Sequence, residues 1–350
     1  MMVGIVSYGI YIPRWRIKVE EIAKVWSQDP ERYKTNLLVD EKSVPSIDED
    51  AATMAVEAAG NALNAVPQID RKDIGALYVG SESHPYAVKP TATIVAEALG
   101  ITPSLTAADT EFACKAATAA IQMCMGLVKA GYVKYGVSIG TDAAQGRPAD
   151  VLEYTAAAGA AAYLIGEDDV LATIEGTFSL TQDVSDFWRR EGAEFPQHAG
   201  RFTGEPAYFA HVVDCSRELM KKLGTKSGDY DYAVFHEPNG MFPLMAARML
   251  DFDEKKVMPS LIVKKIGNTY SASVLIGLAS ILDQAKSGTR ILVTSYGSGA
   301  GSDAFSLLVT DQIEKRRKLV KPVEYYVKNK QYIDYSTYSR FKNQIRGYPE

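Results

Sequence analysis

The sequence predicts an α/β protein in which one strand and helix unit is used twice. Three observations predict it. Segments of helical period alternate with short β-rich runs. The order of those segments in the first half of the 350-residue chain is repeated in the second. The chemically notable residues of the two halves also keep one spacing, since Glu82 and His236, like Cys114 and Asn268, stand 154 positions apart. A duplication accounts for this coincidence. The seam is expected near residues 165–175, dividing the chain into 1–168, 169–313 and an extension, 314–350.

In chain order, the Ala-rich stretch DEDAATMAVEAAGNALN (48–64) opens with acidic residues suited to a helix N-terminus and leads into the strand-like IGALYVGSES (74–83). Its counterpart is the helical AYFAHVVDCSRELMKKLG (207–224) leading to YAVFHEPNG (232–240). Each strand is followed by another helix, TATIVAEALG (91–100) and MFPLMAARMLDF (241–252), and then by a small-residue segment around Cys114 or GNTYSAS (267–273). Each half then presents a helix and a strand. In the first these are AAIQMCMGLVKAG (119–131) and YGVSIG (135–140), in the second VLIGLASILDQAKSG (274–288) and RILVTSYGSGAG (290–301). From Glu314 the chain turns rich in Lys, Arg and Tyr, which suggests an appendage packed on the surface or docking a protein partner.

Composition removes several function classes. A net charge of -5 offers no basic surface for nucleic acid or anionic membrane, and no run of eighteen apolar residues occurs. The opening residues lack a signal-peptide pattern, so a cytoplasmic protein is expected. Cys114, Cys124 and Cys215 form no CxxC pair, and His84, His198, His211 and His236 show no HExxH spacing. Neither a disulfide framework nor a metal is expected, and no cofactor.

Cys114 lies where a strand end meets an Ala-rich helix, so that the helix N-terminus should stabilise a thiolate and lower the thiol pKa. Cys124 and Cys215 read as buried hydrophobes. His236 emerges at a strand's carboxyl end before a Pro-Asn-Gly turn, where open α/β sheets place their sites. Asn268 completes a Cys/His/Asn set, an arrangement that a cysteine protease would share. Glu82 holds in the first half the place of His236 in the second, and a buried carboxylate there should have a raised pKa and serve as a general base. His84 reads as structural. SYGSGAG (295–301) lacks the ending of a phosphate loop, and its glycines suit close backbone approach, with the Ser298 N–H joining that of Cys114 in an oxyanion hole.

The stretches VGSESHPYAVKPT, AADTEFACKAAT, DVLEYTAAAGAAAYLIG, RFTGEPAY, HEPNGMFP, GNTYSAS and SYGSGAGSDAF together resemble the archaeal-type hydroxymethylglutaryl-CoA synthases of the thiolase superfamily. The resemblance implies a duplicated thiolase fold of five αβαβα layers with two pseudo-symmetric halves, usually a homodimer. It implies condensation of acetyl-CoA with acetoacetyl-CoA in the mevalonate pathway of isoprene biosynthesis. Cys114 would carry the acetyl group, Glu82 remove a methyl proton, and His236 polarise and protonate the ketone oxygen. Asn268 would hold acetoacetyl-CoA and Ser298 lie beside the acyl oxygen. Asp29, Thr155, Arg201 and Thr203 would contact the CoA chain or the acyl group. Glu237, Met241 and Met245 depart from the family, standing where a glutamine and phosphate-binding basic residues are expected. The resemblance also implies a complex with an acetoacetyl-CoA thiolase and a small zinc-containing OB-fold protein.

The nearest rival is a ketoacyl-ACP synthase III-like enzyme, which decarboxylates its donor and needs no base at Glu82. A non-catalytic thiolase-like scaffold would have little use for all four motifs together.

Overall fold

The computed structural model describes residues 2–345; residues 346–350, the end of the expected extension, lie outside the described residues. Nine strands form one mixed sheet and are numbered in chain order: β1 (Gly4–Tyr11), β2 (Ile74–Gly80), β3 (Thr106–Thr110), β4 (Tyr135–Ala143), β5 (Ala158–Gly166), β6 (Ala172–Thr181), β7 (Tyr232–Phe235), β8 (Arg290–Thr294) and β9 (Gly301–Val309). Their spatial order is β7-β8-β9-β6-β1-β5-β4-β2-β3. β1 and β6 meet only at Gly4 with Thr173 and Ile5 with Ala172. Outward from that narrow junction both runs show the same senses: antiparallel, antiparallel, then parallel. The second run stops one strand short. Where the counterpart of β3 would fall, residues Val263–Ile266 form a short helix instead.

Six helices complete the layers. α1 (Ala51–Asn64) and α2 (Thr91–Ala98) cover the outer face of the first run. α3 (Ala116–Lys129) and α6 (Ser273–Leu282) lie between the two runs, and α4 (Phe209–Leu223) and α5 (Met241–Met249) cover the outer face of the second. Asp50 caps α1, its side chain accepting from the Thr53 N–H at 2.8 Å. All ten residues of α6 are buried, as expected of a helix that is apolar all round and sits in the middle layer. One core joins Ala117, Ile121, Leu275 and Leu278 of the middle helices to Ile10 and Tyr163 on one side and Val293 and Phe305 on the other. Alanines at 158 and 160–162 keep β5 thin enough for helices on both faces, and each of them is fully buried.

The tail is not an appendage. Val320, Val323, Tyr326 and Val327 join the central core, the last three on α7 (Val323–Lys328). Gln331–Tyr332 pairs parallel with the small strand Trp15–Lys18, which pairs in turn with Glu41–Val44. α8 (Tyr335–Phe341) buries Tyr338 among Ile17, Val39 and Tyr154. Apolar residues at helical spacing, hidden among the basic ones, drive this burial.

Candidate active site

Cys114 sits on a sharp turn between β3 and α3. The turn closes through the Lys115 N–H to the Phe112 carbonyl and the Ala116 N–H to the Ala113 carbonyl, both at 3.2 Å. Ala113 takes a left-handed φ of 45°, a conformation costly for an L-residue that reappears at many reactive turns. Gly80 lets the start of α3 seat on β2, because a Cβ there would lie 2.5 Å from the Ala117 nitrogen.

The Cys114 thiol donates to Glu82 Oε1 at 3.1 Å. Glu82 stands two residues past β2 in a cavity of about 260 Å³ that it lines with Asp142, Ala143, Ala144, Arg189 and Tyr270. Burial and the nearby Asp142 push its carboxyl up to about 8, against the thiol's hydrogen bond. The thiol itself is raised, by burial and by the Glu82 charge. The expected lowering of its pKa by the helix is therefore reversed: the thiol is 4% exposed and faces a carboxylate, and both effects outweigh the helix terminus.

Asp142, at the end of β4, is fully buried. Its Oδ1 accepts from the Glu82 N–H at 2.8 Å and from the hydroxyls of Ser81 and Ser83, and its Oδ2 accepts from the Ser271 N–H at 2.9 Å. Ser271 in turn donates its hydroxyl to the Ala113 carbonyl at 3.2 Å. One carboxylate thus ties the Glu82 loop, the Cys114 turn and the 267–273 segment of the second half together. The segment is anchored by the Asn268 N–H to the Thr155 carbonyl at 2.7 Å, while Asn268 Oδ1 accepts from the Tyr270 N–H at 2.9 Å.

His236 follows β7 and is 1% exposed, its N–H donating to the Thr294 carbonyl. Its Nδ1 has no hydrogen-bond partner among the described residues, and burial lowers the ring to about 3, so the imidazole is neutral at physiological pH. Tyr296 stands beside it at 6.4 Å between ring centroids, and the charge of Cys114 is among the influences that raise the Tyr296 phenol. The Tyr296 hydroxyl donates to Asp186 Oδ2 at 2.9 Å, and Thr203 donates to the Asp186 carbonyl at 3.2 Å. The Gly-rich turn comes close, as its composition predicts: a Cβ on Gly297 would lie 2.5 Å from the Phe112 carbonyl oxygen. Ser298 follows it, close enough to the Tyr296 hydroxyl to favour its ionised form against the burial that raises it.

Other expected residues lie farther out. Asp29 is exposed and caps the helix Pro30–Leu37, whose Leu37 carbonyl receives the Gly240 N–H at 2.7 Å below α5. Arg201 is exposed in a short turn, Gly200–Thr203. Glu237 is 2% exposed, accepts from the Val263 N–H at 2.8 Å, and is pushed up to about 8 by burial. Sequence reasoning missed Asp142 and the Lys115 to Asp303 ion pair at 2.9 Å, 4% and 0% exposed, beneath the Cys114 turn. The available signal was a charged residue inside an otherwise apolar or small-residue run, as in YGVSIGTD.

A hydroxymethylglutaryl-CoA synthase of Methanocaldococcus jannaschii is 61% identical, covering 99% of this chain and 100% of its own. Those of Methanothermobacter thermautotrophicus and Methanosarcina mazei are each 60% identical over 99% of both chains. Residues 220–309 match the family model of the C-terminal part of 3-oxoacyl-[acyl-carrier-protein] synthase III. A solved MvaS in complex with 3-hydroxy-3-methylglutaryl coenzyme A superposes with a TM-score of 0.88 at 24% identity, covering 97% of this chain and 91% of that one. An HMG-CoA synthase complexed with CoA superposes at 0.87 and 23%, over 97% and 90%. The two share the layered thiolase fold seen here.

Proposed function

The chain belongs to the hydroxymethylglutaryl-CoA synthase family, and from that premise we propose how its residues divide the condensation of acetyl-CoA and acetoacetyl-CoA, with water, into 3-hydroxy-3-methylglutaryl-CoA and CoA. It is an acyl-transferring condensing enzyme whose substrates are coenzyme A thioesters. The contact of Cys114 with Glu82 carries the reading. As the sulfur attacks the acetyl carbonyl, its proton passes to Glu82 and CoA leaves as the thiol, so no standing thiolate is needed. Glu82, ionised again, removes a proton from the methyl of the acetyl-cysteine, and the enolate attacks the ketone carbon of acetoacetyl-CoA.

A neutral His236 acts as a hydrogen-bond donor to the ketone oxygen, and solvent supplies the proton, in place of an imidazolium that protonates it directly. The N–H groups of Cys114 and Ser298 stabilise the thioester oxyanion. Water then hydrolyses the acyl-enzyme. Asn268 holds acetoacetyl-CoA, and Asp29, Thr155, Arg201 and Thr203 contact the CoA chain or the acyl group. Methionines 241 and 245 cannot bind phosphate, so the CoA phosphates find their cations elsewhere.

The same reading extends to organisation. The chain acts in the cytoplasm as a homodimer, in complex with an acetoacetyl-CoA thiolase and a small zinc-containing OB-fold protein that supplements the CoA contacts. It divides into 1–168, 169–313 and the extension 314–350, a division supported by the repeated pairing senses of the sheet. Among the described residues no helix is long and apolar enough to cross a membrane. Incubation with labelled acetyl-CoA is expected to leave one acetyl group on Cys114 and none on Cys124 or Cys215. Label elsewhere, or none, overturns the reading.

A further inference from the structure

The tail buries a cation against the back of the reactive centre. Lys342 directly follows α8 and is 7% exposed. Its Nζ donates to the carbonyls of Ala144 at 2.6 Å and Ala143 at 3.4 Å. These two residues follow Asp142 and wall the cavity beside Glu82. Their N–H groups are engaged on the other side, Ala143 donating to the Ser83 hydroxyl at 2.9 Å and Ala144 to the Ala157 carbonyl at 3.1 Å. The Ala144 methyl packs in a small cluster with Cys114 and Tyr270.

A second buried lysine braces the neighbouring loop. Lys42, 1% exposed, donates to the Glu153 carbonyl and to the Tyr338 hydroxyl of α8 at 3.1 Å. Its Cβ packs so closely under Gly267 that a Cβ there would approach within 2.7 Å. Burying an ammonium is costly unless its donors are matched, and a methionine would fill the same space without that cost. At Lys342 the charge does what methionine could not: it turns two carbonyls of the site's wall outward and holds them.

We propose that Lys342 is a positioning residue for condensation, keeping residues 142–144 set so that Asp142 fixes Glu82 against Cys114. This rests on the roles given above to Glu82 and Cys114. The test uses the full chain and measures acetylation of Cys114 and overall condensation separately in Lys342→Met, Lys342→Arg and Lys330→Met. Lys330 binds Glu41 from the same tail, away from the cavity.

Lys342→Met is expected to lower kcat by roughly tenfold or more, with KM for acetyl-CoA within about threefold and Cys114 still acetylated, since small misplacements of a catalytic group are expensive in rate. Lys342→Arg should recover at least about a third of the rate and Lys330→Met stay within about twofold of wild type. A kcat within about twofold in Lys342→Met, a rise in KM alone, or equal losses in the Lys342→Met and Lys330→Met variants each overturns the proposal while leaving the chemistry of Cys114 intact. If Lys342→Met does not fold, Lys342→Gln is judged by the same measurements. Failure of wild-type Cys114 to take up acetyl would instead sink the underlying reading.

Discussion

Replacing Glu82 by glutamine should split the two halves of the reaction. The carboxylate oxygen lies 3.1 Å from the thiol sulfur. At that distance and an effective dielectric of about 20, a unit charge opposes ionisation of the thiol by about 5 kcal/mol at most, close to 4 pH units. Because the wild-type pair shares a proton, part of that is hidden, and a fall of at least about one pH unit is expected in the alkylation profile of Cys114 with iodoacetamide. Acetylation of Cys114 should survive, because a thiol freed from the Glu82 charge ionises more readily and no longer needs the carboxylate to take its proton. Condensation should fall by about 10²–10⁴, the contribution of a positioned base. In the wild type, the carboxyl at about 8 must be ionised to act, so condensation should rise with pH through that region. Acetylation removes the thiol hydrogen bond that lowers it, which moves the midpoint to 8 or above. A Glu82→Gln enzyme condensing within about tenfold of wild type, or a Cys114 profile moving to higher pH, would refute the reasoning.

Lys115→Met should leave Asp303 buried with hydroxyl donors from Thr118 and Ser179 but no cation, costing about 3 kcal/mol in chemical denaturation; a loss below about 1 kcal/mol would show that the pair is dispensable. Glu237→Gln keeps an acceptor for the Val263 N–H and removes a carboxyl that burial pushes up to about 8. A carboxyl raised above its unfolded value of about 4.5 contributes stability that is full below that pH and is lost as pH rises through 8. The stability of the variant relative to wild type should therefore improve between pH 4.5 and 8.5, by on the order of 4 kcal/mol, and a difference that does not change with pH would count against a protonated Glu237.

Much of this was legible before any coordinates. Cys114, Glu82 and His236 follow strands, and Asn268 lies in a small-residue turn; apolar runs and small-residue turns are local properties that the sequence shows directly. The helices 48–64, 207–224 and 241–252 were legible for the same reason, with boundaries shifted by a few residues. The tail misled because its basic and tyrosine content masked the spacing of Val320, Val323, Tyr326 and Val327, which pack into the core. Lysine stems and tyrosine rings bury readily when their polar ends find partners, so composition alone underrates such a segment.

The sequence by itself determined the α/β alternation, the doubled spacing and which residues are candidates for the reactive groups, because each is written in periodicity or residue type. Only the tertiary structure decided their protonation. A helix N-terminus argued for a ready thiolate, but the thiol and Glu82 face one another in a buried pocket, where desolvation and like charge raise both groups and keep the sulfur protonated. It also decided that Asp142 clasps both halves and that Lys342 reaches the wall of the same pocket from the far end of the chain. Charge and burial act through space, and the distances that set them are absent from a linear string.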